Sequence, residues 1–98
     1  MNPGGLSEVT TATPEVQELA DQTKGEIEQK ENKKYSIFKA TEYRTQVVKG
    51  TNYFIKVDCG QGEYMHLRIY EPIPQSGEKI SLTSYQTGKT ANDPLIYF

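Results

Sequence analysis

The sequence predicts an α+β fold, one long N-terminal helix wrapped by a four- to five-stranded antiparallel sheet. Two observations carry that expectation: apolar residues recur at helical spacing through one early segment, and from Tyr35 onward the period drops to two. A third sets the pairing. The connections between the later runs hold only a few turn residues, too few for parallel crossovers, so the strands must form an antiparallel meander. A chain of 98 residues is the size of one domain. It can bury a sufficient core without disulfides or metal.

The first dozen residues, Met1 to Ala12, carry Pro3, Gly4 and Gly5 and little apolar content, and are expected to form a mobile arm of the single domain 1–98. Thr13-Pro14 then reads as an N-cap and a first-turn proline, with Glu15 favourably placed at the positive end of the helix dipole. Val16, Leu19, Ala20, Thr23 and Ile27 make one helical stripe for burial. Gly25 interrupts good helix formers, so a local bend is expected there, and Asn32-Lys33-Lys34 supplies the stop.

Four runs alternate after that. Tyr43, Thr45 and Val47 interleave with Glu42, Arg44 and Gln46; Tyr53, Ile55 and Val57 with Phe54, Lys56 and Asp58. Met65, Leu67 and Ile69 interleave with Tyr64, His66, Arg68 and Tyr70; Ile80, Leu82 and Ser84 with Ser81, Thr83 and Tyr85. Each is a strand with one apolar face. Turns fall at Lys49-Gly50-Thr51-Asn52, at Gly60-Gln61-Gly62 and at Pro72 to Gly77.

The residues for catalysis are largely missing. The single histidine, His66, is expected to face solvent from mid-strand, and the single cysteine, Cys59, follows Asp58 with no evident base beside it. No metal-ligand spacing and no phosphate-cradling glycine loop occurs, so no cofactor, metal or catalytic residue is expected. A net charge of −2 with both signs interspersed offers no field for nucleic acid. No apolar run reaches the roughly 20 residues needed to span a bilayer, and the opening residues lack a signal-peptide pattern. With one unpaired cysteine, the expected compartment is the cytoplasm.

The feature that stands apart is the first hairpin tip, Gln46-Val47-Val48-Lys49-Gly50. Hairpin tips are normally polar, yet this one carries adjacent valines; alternation buries one of them and leaves the other outward as a contact surface, unless both simply finish a strand. These five residues fit Gln-x-Val-x-Gly. Gly4-Gly5 lies upstream of a helix, the five-residue tip falls between the first two strands, and Ile73-Pro74-Gln75 lies between the last two. In this arrangement the chain resembles the stefin branch of the cystatin family along essentially its whole length. Ala12 to Glu15, Thr45 to Val48, Gly50 to Tyr53 and Ser84 to Thr87 carry further likeness.

The resemblance implies a cystatin-like fold and reversible, tight inhibition of papain-like cysteine proteases, the lysosomal cathepsins L, S, H and B among them. It implies a wedge of three segments. Pro3, Gly4 and Gly5 would run along the non-primed side of the protease cleft, and Val47 and Val48 would pack beside the catalytic cysteine, with Gln46, Lys49 and Gly50 of the same loop also among the protease-binding residues. Ile73, Pro74 and Gln75 would touch the primed side. Lys49 stands where alanine is common in stefins, and Gln75 where glycine is frequent. The resemblance also implies a structural alternative, cross-linking by transglutaminase into the cornified envelope of epithelia, for which Gln29, Lys30, Lys33 and Lys34 are candidates. A cystatin-like scaffold for some other partner is a further reading, motivated by Lys49 and Gln75. A monomer is expected, with a domain-swapped dimer accessible through the Val48-Lys49 hairpin.

Overall fold

The structure is a computed structural model that describes residues 5–98. Pro3 and Gly4 therefore lie outside the described residues. Helix α1 spans Pro14–Glu31. Thr13 caps it, its hydroxyl accepting from the Val16 N–H at 3.3 Å, and Pro14 occupies the first turn, where a missing N–H costs nothing. Asn32 ends the helix in the left-handed region, with φ 54°, a conformation asparagine tolerates better than most residues. The helix is continuous through Gly25.

Around α1 the chain forms a five-stranded sheet in the order β1-β2-β3-β4-β5, every pair antiparallel. The strands are β1 Thr10–Thr11, β2 Lys39–Val47, β3 Thr51–Asp58, β4 Tyr64–Glu71 and β5 Ser81–Lys89. The buried stripe of α1 is Val16, Leu19, Ala20, Thr23 and Ile27. It packs against Ile55 and Val57 of β3 and Met65, Leu67 and Ile69 of β4 to make the core. Gln17 ties helix to sheet by a reciprocal pair: its Nε2 donates to the Phe38 carbonyl at 2.9 Å and its Oε1 accepts from the Ala40 N–H at 2.8 Å.

Two expectations are corrected here. The arm does not run free to Ala12, because Thr10 and Thr11 pair with Tyr43 and Glu42 as β1, and Ala12 packs on the core edge. Two residues are too few to show alternation, which is why the sequence gives no sign of this strand. Nor does the outer face of the sheet meet water. Phe54, Lys56 and His66 are all buried on it. Residues 90–98 cross this face as an irregular strap, with Leu95 buried. Cations hold the strap by its main chain, Lys56 Nζ donating to the carbonyls of Ala91 at 2.8 Å and Asp93 at 2.6 Å. Arg68 donates to the Phe98 main-chain oxygen at 2.8 Å and lies over the Tyr97 ring, 4.8 Å from its centroid.

Candidate functional site

Antiparallel register brings three loop segments to one end of the sheet. Val47, Thr51 and Glu71 lie in line across β2, β3 and β4, and Tyr70 faces Ser81 across β4 and β5. The tips at 48–50 and 72–80 therefore project from the same edge. The N-terminal segment arrives there as well, since the Ser7 N–H donates to the Thr45 carbonyl at 2.8 Å, placing Gly5 beyond Ser7 towards the first tip.

The five residues of the first hairpin divide into a scaffold and a presented edge. Gln46 is buried, and its Oε1 accepts from Asn52 Nδ2 at 2.9 Å across the hairpin. Gly50 is also buried. A Cβ there would run into the Glu71 carbonyl oxygen and lie 3.0 Å from the Pro72 Cα, so only glycine lets the first tip sit against the base of the second. Between these anchors the Val48 N–H closes the loop onto the Gly50 carbonyl at 3.0 Å. Val47 is 71% exposed and Val48 45% exposed. The alternation argument buried one valine; both are presented, because the strand ends at Val47 and, among the described residues, both side chains stay exposed.

In the second loop Ile73 has extended backbone and is 40% exposed. Pro74–Ser76 form a 3₁₀ turn closed by the Ser76 N–H on the Ile73 carbonyl at 3.0 Å. Pro74 and Gln75 are exposed, as is Lys49. The described part of this edge thus joins four exposed apolar side chains, Val47, Val48, Ile73 and Pro74, with the Lys49 ammonium at the first tip. Exposed aliphatic groups on rigid hairpins are a contact surface, with no nucleophile or base among them.

Elsewhere the titratable groups are unsuited to catalysis. Burial, then the Asp58 and Glu63 carboxylates, push the Cys59 thiol up to about 11, so it stays protonated at neutral pH. His66, expected at the surface, is 1% exposed beneath the strap. Its burial, followed by the charges of Lys56 and Lys89, brings the imidazole down to about 4. Among the described residues no three His, Cys, Asp or Glu side chains converge as a metal site.

Residues 4–92 match the cystatin domain. The chain belongs to the cystatin family. Relatives within that family include cystatin-A of Mus musculus, 52% identical over 99 residues covering 100% of both chains. Cystatin-A of Homo sapiens is 48% identical over 98 residues, again covering 100% of both. Stefin-C of Bos taurus is 47% identical over 97 residues, 99% of this chain and 96% of its own. Cystatins are inhibitors of cysteine proteases rather than enzymes, and membership indicates that activity and that class of partner here. Among the described residues no helix is long and apolar enough to cross a membrane.

What sequence reasoning missed around the site is its support. Arg44, Ser7 and the strap hold the edge from behind, and none of them carries a recognisable local pattern. The only available signal was the clustering of cations on the polar face, Arg44, Lys56 and Arg68, too dense for a face that merely meets solvent.

Proposed function

We propose that this cystatin inhibits papain-like proteases of the cathepsin L, S, H and B class reversibly, by inserting its three-segment edge into the active-site cleft. The observation that carries the reading is the exposure of Val47 and Val48 on a hairpin anchored by Gln46 and Gly50. In this reading Val47, Val48 and Lys49 lie beside the protease's catalytic cysteine, and Ile73, Pro74 and Gln75 occupy the primed side. Pro3, Gly4 and Gly5 follow the non-primed side, where glycine permits close main-chain approach. Loops already in their bound shape lose little entropy on docking, so a modest apolar contact yields high affinity. No peptide bond of the inhibitor needs to be cleaved or acylated.

The reading makes a demand that titration calorimetry tests. Papain whose active-site cysteine carries a small alkyl block should still bind, with weaker affinity than free papain, and the recovered inhibitor should be chemically unchanged. Failure to bind the blocked enzyme, together with an inhibitor-enzyme adduct by mass spectrometry, would contradict a non-covalent wedge.

We place the protein in the cytoplasm as a monomer, with exchange of elements through the 48–50 loop as the route to a dimer; size-exclusion chromatography after partial unfolding tests the latter. The cross-linking alternative has the exposure of Gln29, Lys30, Lys33 and Lys34 in its favour. They stand at the C-terminal end of α1 and just beyond it, and ladders on a gel after transglutaminase treatment would support it.

A further inference from the structure

Arg44 lies on the outer face of β2, and its guanidinium joins the two ends of the chain. Nε donates to the Ser7 carbonyl oxygen at 2.7 Å and Nη1 to the Leu95 carbonyl oxygen at 2.7 Å. Ser7 is held twice more from the neighbouring residue. Its N–H donates to the Thr45 carbonyl at 2.8 Å, and its Oγ accepts from the Thr45 N–H at 2.8 Å. Ser7 is thus fixed through its nitrogen, its carbonyl and its hydroxyl, two residues after Gly5, at the edge that bears Val47 and Val48. The other arm of the fork ends on Leu95, which is buried. Both contacts are charge-assisted, and the planar guanidinium sets the angle between its two acceptors, which a lysine ammonium cannot do.

We propose that Arg44 is a positioning residue for protease inhibition. By clamping Ser7 to the buried strap it fixes the position of Ser7 on the sheet edge, and so sets the share of inhibitory affinity that the N-terminal segment supplies. The inference rests on the wedge reading above. Its physical basis is pre-organisation: a segment with a fixed point of departure has fewer residues to order on binding.

A double-mutant cycle on the full-length chain tests it, using papain inhibition by wild type, Arg44→Gln, Gly4→Arg and the double variant. Arg44→Gln should weaken wild-type inhibition roughly tenfold, the size of one charge-assisted hydrogen bond, mainly by faster dissociation. In the Gly4→Arg background, where the segment's contribution is already lost, the same change should cost about twofold or less. Arg44→Lys should recover part of the loss. Should Arg44→Gln fail to fold, Arg44→Lys, which cannot bridge both carbonyls at the guanidinium angle, replaces it in the cycle with the same signature at smaller size. Equal weakening in both backgrounds would overturn the proposal, as would no weakening by either Arg44→Gln or Gly4→Arg. A wild-type chain that folds and leaves papain uninhibited would overturn the protease reading itself, and this inference with it.

Discussion

Gln46 and Asn52 stand directly opposite one another across the first hairpin, and a side-chain hydrogen bond of 2.9 Å joins them beneath the two exposed valines. The apolar tip is therefore carried by a buried polar bridge. Asn52→Ala removes one bond to the buried Gln46 amide and should lower stability by about 1–2 kcal/mol in urea denaturation. Inhibition should weaken too, since the tip loses its brace. A variant with unchanged stability would show that the bridge does not hold the hairpin.

The Gly50 contact makes a second expectation. Alanine at this position must push the first tip away from Glu71 and Pro72, at a cost of about 1–3 kcal/mol for overpacking. Because the two tips bind together in the wedge reading, Gly50→Ala should also weaken papain inhibition at least tenfold, or about 1.4 kcal/mol. Full inhibition by a destabilised variant would separate the two loops.

Lys49 adds a charge at an exposed tip. Lys49→Ala should change the inhibition constants of several cathepsins unequally, by about two- to tenfold, and flatten their dependence on salt. Identical constants across all of them would remove Lys49 from the contact surface.

His66 predicts a pH dependence of stability. Burial, then Lys56 of β3 and Lys89 of β5, lower its folded value to about 4 from the ordinary 6.5, while Asp93 of the strap opposes them. The unfolded chain binds the proton more readily, so stability is lost as pH falls from about 6.5 to about 4. The loss should reach roughly 2–3 kcal/mol. The Asp93 carboxylate, held below its usual range by the Thr90 N–H, titrates beneath that window. Denaturation midpoints at pH 7 and pH 4.5 should converge in His66→Gln and differ in wild type; an equal difference in both would assign the effect elsewhere.

Much of the fold was legible because its stripe is periodic. Val16, Leu19, Ala20, Thr23 and Ile27 repeat at helical spacing, and the structure buries all five. The outer face was not legible, because residues 90–98 have no period and are held by main-chain acceptors that sequence does not mark. Lys56 and His66 look like solvent residues until Ala91 and Asp93 cover them. At the candidate site the pattern Gln-x-Val-x-Gly located the hairpin, but only coordinates separate the residues that support it, Gln46 and Gly50, from those it presents.

The central claim is that the exposed valine tip is the inhibitory contact, and papain inhibition by Val48→Asp beside Ile37→Asp tests it most directly. Ile37 is comparably exposed at 51%, but lies against Gly60 in the β3–β4 turn at the opposite end of the sheet. An unpaired carboxylate forced into an apolar contact should weaken inhibition by Val48→Asp at least a hundredfold, about 2.7 kcal/mol. Ile37→Asp should inhibit as wild type does. Undiminished inhibition by Val48→Asp, or equal loss in both variants, would contradict the assignment of this edge as the inhibitory surface.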